Sequence, residues 1–431
     1  MRIRDPIHGT VAFGDAEVPI LDSGFFQRLR HVNQLGFGDL AFPGATHSRL
    51  AHSIGAMHVA SRLFDAVFAR SSLPEGERAR LRAAVRVAGL CHDIGHMPRS
   101  HASERIAPAR DALGLPAWVT GGAGGQATHE DFTVKLLLDS SLSKALEAAL
   151  GPAGLSPEAI VFLVMGAEPP GGSPFVASGK DYGPLLRQLV SGELDADRMD
   201  YLLRDSFYTG VNYGRYDLDW LVQNLVPIER AGKVYLGLGR AAIFAFEDFL
   251  LSRFHMFVSV YYHHTAVNFD EMLRRYYLEE PSGFEIPADP ERFLDCDDVA
   301  LAWALRHSKN RWAQRIVARR GYKLVAQATD LDRDYDIPAL SGALGEAGIE
   351  HFACESLSVL SRYFGEKAGP PLYVLDAHAG SVTPIERYTP LYQRYTGAVR
   401  LSRIYCLPEQ AQEAHELVAR SVRESRRGRE G

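Results

Sequence analysis

A His–Asp dipeptide, His92–Asp93, follows directly on an apolar stretch in the segment LCHDIGH. The residues before it, 83–90, are apolar on most sides, which predicts a helix buried over most of its surface. Gly95 is the residue type that lets such a helix end in a left-handed turn. Burying an imidazole and a carboxylate costs several kcal/mol unless something compensates. A divalent cation would do so, because both groups are metal ligands; ordinary hydrogen bonding within the pair is the alternative.

Two further segments supply candidate partners for that pair. The apolar stripe Leu50, Ile54, Met57, Phe64, Phe68 is typical of a helix, and this helix carries His52. Another helix begins after Leu194 with several acids, and Asp197, Tyr201 and Asp205 share one of its faces at i, i+4 and i+8. Mixed nitrogen and oxygen ligands without sulfur suit Mn, Fe, Co, Ni or Zn, and Mg less tightly. The predicted ligands of one divalent metal are His52, His92, Asp93 and Asp197.

The pattern H…HD…D, within HSRLAHSIG, LCHDIGH and DADRMDYLLRD, resembles the HD-domain phosphohydrolase superfamily. The segments RDPIHGTVAF, FFQRLRHVNQLG and DYLLRDSFYTGVNYG are similar to its deoxynucleoside-triphosphate triphosphohydrolase branch, over about Arg4 to Arg275. The resemblance implies a metal-dependent enzyme that cleaves a dNTP to deoxynucleoside and tripolyphosphate. It also implies a homo-oligomer (dimer, tetramer or hexamer) and a mainly α fold, with an HD-domain helical core and small β-hairpins.

The resemblance implies further contacts to the substrate. Arg49 lies three residues before His52, so the two share one side of a helix turn. An ion pair and a fork-shaped phosphate clamp are alternatives for Arg49, and the resemblance favours the clamp. Arg198 stands where many relatives have a lysine, and it is matched with Arg253 to the phosphates. The residues matched to the nucleoside are Gln34, Tyr201, Asp205, Tyr261 and His263.

Acid–base roles are also implied by the resemblance. His101 matches a general acid that protonates the leaving 5′-oxygen, and Glu104, where relatives often have aspartate, would orient it. His129 matches a second catalytic histidine, although its spacing equally fits a solvated position at the start of a helix. A regulatory nucleotide site between subunits is implied for Asp22, Gln27 and Arg30.

Composition sets broad limits on the class of protein. The chain has 431 residues, 46% hydrophobic and 23% charged, as in an ordinary soluble protein. This length predicts two or three domains, or one large helical body with a lobe. A net charge of −6 argues against a general polyanion binder, so nucleic acid is not the expected partner. Four scattered cysteines without a CxxC pair fit a reducing cytoplasm. With no apolar run near about 18 residues, no membrane contact is expected.

Periodicity predicts the elements that carry these residues. Asp22 or Ser23 caps a helix through Leu35, and one long helical stretch runs from about Ala241 to Leu278. Asp200 and Arg204 are expected to pair on the helix surface. The composition changes near Asp330, which predicts a core over 1–329 and a C-terminal α+β lobe over 330–431. Other predicted elements are a β-hairpin of 224–229 with 233–238, strands at 372–375 and 399–405, a helix at 409–424 and a disordered basic tail at 423–429.

Two other functions remain open at this point. The same metal site could serve another nucleotide, a cyclic dinucleotide or a nucleic-acid end. A protein of a different class, a nucleotide sensor with an idle HD site, is the third possibility; it would lack bound metal or turnover.

Overall fold

The computed structural model describes residues 1–122, 124–329, 332, 334–359, 370–389 and 398–430. The mainly α fold is confirmed, with small sheets between the helices. Among the described residues, no single helix is both long and apolar enough to cross a bilayer. The α-helices are α1 (Val18–Leu21), α2 (Gly24–Arg28), α3 (Arg49–Val67), α4 (Glu75–Cys91), α5 (Ala117–Thr120), α6 (His129–Leu138), α7 (Ser141–Leu150), α8 (Pro157–Met165), α9 (Gly183–Val190), α10 (Ala196–Thr209), α11 (Leu218–Gln223), α12 (Ile243–Met256), α13 (His264–Glu279), α14 (Pro290–Phe293), α15 (Asp298–His307), α16 (Arg311–Val317), α17 (Ile337–Glu346), α18 (Ile385–Tyr388) and α19 (Ala411–Glu430).

Short 3₁₀ helices and one π-helix join these elements. The 3₁₀ segments are Leu29–His31, Gly38–Leu40, Ser100–Ile106, Arg110–Leu113, Gly151–Ala153, Arg240–Ala242 and Pro408–Gln410, and the π-helix is Phe257–Tyr261. The strands are β1 (Arg2–Asp5), β2 (Gly9–Ala12), β3 (Val176–Ala177), β4 (Lys180–Asp181), β5 (Leu225–Arg230), β6 (Lys233–Gly239), β7 (Lys323–Thr329), β8 (His351–Val359), β9 (Tyr373–Asp376), β10 (Ser381–Pro384) and β11 (Ala398–Cys406).

The helices that carry the candidate ligands form the centre of the core, where α3 packs against both α4 and α10. Gly55 on α3 makes the contact with α10 possible, because a Cβ there would overlap Asp200 and Arg204. Gly95 plays a similar part after α4, since a Cβ would overlap the backbone of α6. The expected left-handed turn at Gly95 is wrong: its φ is not positive, and α4 already ends at Cys91. His92 and Asp93 therefore lie just beyond the helix end.

Three small sheets complete the described fold. Strands β1 and β2 form an antiparallel hairpin, and the predicted hairpin of β5 and β6 is confirmed. A larger sheet has the order β10-β9-β6-β4-β3, with β9 parallel to β6. A third sheet has the order β7-β11-β8, all antiparallel. Two of these sheets contain strands from both sides of residue 330, because β6 pairs with β9 and β7 pairs with β11. The division into two domains near residue 330 stays a prediction.

Three predicted segments differ from the structure. The helix expected through Leu35 ends at Arg28, because backbone bonds to 47–49 draw residues 32–34 into an extended path. The stretch expected as one helix over 241–278 is interrupted by the π-helix, and α13 starts anew after His263. The tail expected to be disordered belongs to α19, which is anchored by Ala414, Val418 and Val422 in the core of the third sheet.

Candidate metal centre and active site

The four predicted ligands converge. His52 Nε2 lies 3.2 Å from His92 Nε2 and 3.1 Å from Asp197 Oδ1, and His92 Nε2 lies 3.5 Å from the same oxygen. Asp93 lies beside both rings, with its oxygens 3.6 Å from His52 Nε2 and 3.4 Å from His92 Nε2. Ligands bound about 2.0–2.2 Å from one cation stand roughly this far apart. His52, His92 and Asp197 are placed to share one ion, and Asp93 borders it.

The hydrogen bonds behind the two rings fix which nitrogen faces the centre. His92 Nδ1 donates to the carbonyl of Gly89 at 2.9 Å, and His52 Nδ1 donates to Asp200 at 2.8 Å. In the neutral rings both Nε2 atoms therefore present lone pairs to each other, an arrangement that needs a positive charge between them. Burial lowers the pKa of His52, but hydrogen bonds to Asp197 and Asp200 outweigh it and raise the pKa to about 10. The donor set fits a divalent cation.

Asp200 is the main support behind His52. Its carboxylate also accepts from His8 Nε2 at 2.6 Å and from the guanidinium of Arg204 at 2.8 and 2.9 Å. The expected surface pair of Asp200 and Arg204 is therefore wrong in its location, since both side chains are fully buried where α10 meets α3. Arg204 continues the network to Asp5, 2.9 Å away. A hydrogen-bonded carboxylate behind a ligating histidine orients the ring and raises its basicity.

His8 and Asp5 were not among the predicted site residues. Asp5 Oδ1 accepts from the backbone N–H groups of Ile7 and His8, at 2.9 and 2.8 Å, which makes the loop between β1 and β2 an Asx turn. The available signal was the sequence DPIHG, a turn motif with an acid and a histidine in an apolar setting.

Replacing His8 tests this support directly. We expect His8→Ala to weaken Mn²⁺ binding about tenfold, the lower end of typical effects for residues behind a ligand. His8→Gln, whose amide can donate from a similar position, should recover most of the affinity. Calorimetric titration with Mn²⁺ measures both. Equal affinities for His8→Ala and the unchanged protein would show that the DPIHG loop does not support the metal site.

Arg49 forms an ion pair in the structure. Its Nη1 bonds to Asp93 Oδ2, and its Nε and Nη2 bond to Ser100 Oγ at 3.0 and 2.8 Å. Burial alone would raise the pKa of Asp93, but the charges of His92 and Arg49 hold it well below its ordinary value. Arg49 is therefore fixed beside the metal centre, and its role as a phosphate clamp stays a prediction.

Glu104 joins the two predicted acid–base histidines. Its Oε1 bonds to His129 Nδ1 and lies 3.2 Å from His101 Nδ1. Burial alone would raise the pKa of Glu104, but these hydrogen bonds hold it well below its ordinary value. His129 starts α6, which Thr128 caps, yet its side chain is only 20% exposed, so it is not a solvated helix start. His101 is 69% exposed and is free to meet a substrate.

His96 lies between this cluster and the metal centre. Its ring stacks on His129 with a centroid distance of 4.0 Å, and its Nε2 lies 3.4 Å from Asp93 Oδ1. Burial and the nearby charge of Arg49 lower the pKa of His96 well below its ordinary value. His96 is therefore a neutral ring that separates the two groups.

The residues matched to the nucleoside gather around Asp205. Its Oδ2 accepts from the Tyr261 hydroxyl at 2.9 Å, and its Oδ1 lies 2.8 Å from His47 Nε2. Tyr201 meets Tyr261 edge to face, at 5.9 Å between centroids. Gln34 Oε1 is buried and has no hydrogen-bond partner among the described residues. Buried polar groups thus meet around Asp205. His47 was not among the predicted site residues, although it is the first residue of the HSRLAHSIG motif.

His263 lies at the end of this region and has a structural task. Its Nδ1 accepts from the backbone N–H of Thr265 at 3.2 Å, so it caps α13, and its ring meets Phe42 edge to face at 5.3 Å. Its predicted contact with the nucleoside stays a prediction.

Two of the arginines matched to the phosphates are paired with acids. Arg253 Nη1 donates to Glu193 Oε1 at 3.1 Å, and Arg198 Nη1 lies 3.4 Å from Asp195 Oδ2. Asp195 also caps α10, because its side chain accepts from the backbone N–H of Arg198. All four side chains are buried, and Glu193 was not anticipated from the sequence. The arginines stay predicted phosphate ligands, held by carboxylates in the free protein.

The residues matched to a regulatory site lie together on the surface. Gln27 Nε2 donates to the carbonyl of Leu21 at 2.7 Å, and Arg30 Nε donates to Gln27 Oε1 at 2.6 Å. Asp22, just before α2, is exposed. Their regulatory role stays a prediction.

Comparison with known proteins places this geometry in a family. Residues 49–205 match the family model of the HD domain, and residues 217–337 match that of the HD associated region. Together the matches cover more than half of the chain, and all four candidate ligands lie in the first. A crystal structure of a hypothetical protein from Aquifex aeolicus is 26% identical, with a TM-score of 0.73, over 97% of this chain and 99% of that one. A phosphohydrolase from Bacteroides thetaiotaomicron, 22% identical over 94% of this chain and 99% of its own, shares the fold with a TM-score of 0.67.

Two curated relatives define the branch. The uncharacterized protein MJ1154 of Methanocaldococcus jannaschii is 32% identical over 324 residues, 74% of this chain and 58% of that protein. The human deoxynucleoside triphosphate triphosphohydrolase SAMHD1 is 35% identical over 222 residues, 48% of this chain and 33% of its own length. The chain thus spans between about a third and about three fifths of the length of the curated relatives that it matches. On these matches and this site, the chain belongs to the HD-domain superfamily, in the branch that includes SAMHD1.

Proposed function

We propose that the protein is a metal-dependent dNTP triphosphohydrolase, which cleaves a dNTP to deoxynucleoside and tripolyphosphate. The observation that carries the proposal is the position of Asp205 on the same helix as Asp197. Asp205 lies eight positions after Asp197, so the two share one face at about 12 Å of rise along α10. Asp205 is held as a buried acceptor by Tyr261 and His47, as recognition of a sugar hydroxyl requires. The name of the SAMHD1 relatives supports the same substrate class.

The remaining residues can be assigned to steps of this reaction. A cation at His52, His92, Asp93 and Asp197 would supply Lewis-acid chemistry to a phosphate oxygen and to water. A water oxygen forms a bond to the α-phosphorus while the bond from that phosphorus to the 5′-oxygen breaks. His101 donates its proton to the departing 5′-oxygen while Glu104 orients the ring, and the proton that the attacking water loses restores His101 after cleavage.

Charge and sugar recognition complete the assignment. Arg49, Arg198 and Arg253 would neutralise charge that develops on the phosphates. Each of the three is paired with a carboxylate in the structure, Arg49 with Asp93, so this requires exchanging a carboxylate partner for a phosphate oxygen. Asp205 accepts from the 3′-hydroxyl, and Gln34 Oε1, which lacks a partner among the described residues, offers a second acceptor to the sugar.

An assay of the purified protein tests the proposal. Each dNTP is supplied with Mn²⁺ or Mg²⁺, with and without GTP or a second dNTP, and the products are separated by ion exchange. We expect equal amounts of deoxynucleoside and tripolyphosphate, and no turnover with metal removed. Stimulation by GTP would support the regulatory role of Asp22, Gln27 and Arg30, and sedimentation in the same buffers reports the proposed homo-oligomer. Release of pyrophosphate or of single phosphate would contradict the reaction.

A further inference from the structure

The loop that follows the His–Asp pair contains two consecutive residues in the left-handed region. Arg99 has a φ of 53° and Ser100 a φ of 55°, although neither is glycine. Such a backbone is costly for residues with a Cβ, and it persists only where surrounding contacts hold it. The loop therefore depends on partners outside itself.

One buried carboxylate supplies the central contact. Asp298, the first residue of α15, accepts from the backbone N–H of Arg99 at 2.7 Å with Oδ1 and from that of Asn33 at 3.1 Å with Oδ2. The Arg99 guanidinium donates to the carbonyl of Gly36 at 2.7 Å, which is a second contact between the same two loops. Asp298 thus joins two loops that are far apart in sequence, from within the HD associated region.

Each of these loops presents a residue to the proposed substrate site. Ser100 directly follows Arg99, and its Oγ accepts from Nε and Nη2 of Arg49. Gln34 directly follows Asn33, and its buried Oε1 has no partner among the described residues. Asp298 thus binds the backbone N–H of the residue before Ser100, which contacts the proposed phosphate ligand Arg49. It also binds the N–H of the residue before Gln34, which is a proposed sugar ligand.

We propose that Asp298 is a positioning residue for substrate binding, which fixes the Arg49–Ser100 contact and the Gln34 loop together. The inference rests on the proposed function, because Arg49 and Gln34 matter only if a nucleotide binds there. Asp298 touches none of the candidate metal ligands, so its effect should fall on substrate affinity rather than on metal binding.

Asp298→Asn is the direct test. The amide keeps one acceptor oxygen, but its NH₂ group faces a backbone N–H, so one of the two loops is released. Because the ion pair of Arg49 with Asp93 is independent of Ser100 and is retained, we expect the KM for the preferred dNTP to rise about tenfold, kcat to change less than threefold, and Mn²⁺ affinity to stay unchanged. An unchanged KM, or a loss confined to kcat, would overturn the inference.

Two further variants separate positioning from general stability. Asp297→Asn changes the neighbouring carboxylate, which caps α15 through the N–H groups of Val299 and Ala300; asparagine caps equally well, so KM should not change. Ser100→Ala should raise KM on its own, and the double variant with Asp298→Asn should be no worse than the poorer single variant within about twofold. Multiplied effects in the double variant would show that Asp298 does not act through Ser100.

Hydrogen exchange gives a readout that needs no turnover. In Asp298→Asn, peptides covering 31–40 and 95–104 should exchange faster, whereas in Asp297→Asn they should not. Equal exchange in both variants would also overturn the inference. If the proposed function is wrong, the unchanged protein will hydrolyse a different phosphate ester instead of a dNTP. The KM values of the variants would then be measured with that ester.

Discussion

Asp197→Asn is expected to lower kcat by about 10³-fold or more, and the variant should bind Mn²⁺ much more weakly. Metal stabilisation of charge in the transition state is worth several kcal/mol, and each ~1.4 kcal/mol is a factor of ten in rate. Asp197 Oδ1 lies 3.1 Å from His52 Nε2 and 3.5 Å from His92 Nε2, so an amide there removes an anionic ligand from the centre. Initial rates of tripolyphosphate release and metal content after dialysis measure the two effects.

Asp217→Asn is the matched control for that experiment. Asp217 caps α11, where asparagine caps as well as aspartate, and it takes no part in the candidate site. Its kcat and metal content should equal those of the unchanged protein. Full turnover by Asp197→Asn with normal metal content would remove Asp197 from the ligand set.

His101→Gln is expected to lower kcat for a dNTP by about 10²- to 10⁴-fold, the usual range for loss of a general acid or base. A deoxynucleoside 5′-oxygen is a poor leaving group without a proton. Because the His101 side chain is 69% exposed, the fold and the Tm should be preserved. Steady-state rates and thermal unfolding of the same preparation measure both.

A substrate whose leaving group needs no proton tests whether His101 acts as the general acid. With p-nitrophenyl triphosphate the product p-nitrophenolate needs no proton, so His101→Gln should lose less than about tenfold. His307→Gln, which alters an exposed histidine on α15, serves as the control and should be active on both substrates. An equal loss on both substrates would assign His101 to binding rather than to proton donation.

The candidate site was predictable from sequence where a residue type carries the chemistry by itself. Imidazole and carboxylate side chains in three segments predicted His52, His92, Asp93 and Asp197 as ligands. The structure brings His52, His92 and Asp197 together, with Asp93 beside them. Asp200 shows where this reasoning stops. The i, i+4 spacing with Arg204 correctly predicted a pair, but helical periodicity cannot tell a solvated face from one packed against another helix.

Contacts between distant segments could not be predicted from the sequence either, because local periodicity does not show which segments pack together. His8, Glu193 and Asp298 each serve the site through a partner that tertiary packing supplies, and none belongs to a pattern with a local period. Helix ends were similarly misplaced where backbone bonds to another segment compete with the helix, as at residues 32–34. Local propensity is weak beside such bonds.

The π-helix Phe257–Tyr261 decides which of two adjacent tyrosines reaches Asp205. A π-helical turn holds one residue more than an α-helical turn, so it rotates the residues after it by about 100° around the helix axis. Tyr261 contacts Asp205, while the Tyr262 hydroxyl bonds to the carbonyl of Leu357. If Asp205 binds the sugar as we propose, recognition depends on the number of residues in α12 and the π-helix as much as on their identity. Loss of one amino acid from this segment would be equivalent to an active-site substitution, even with every tyrosine retained.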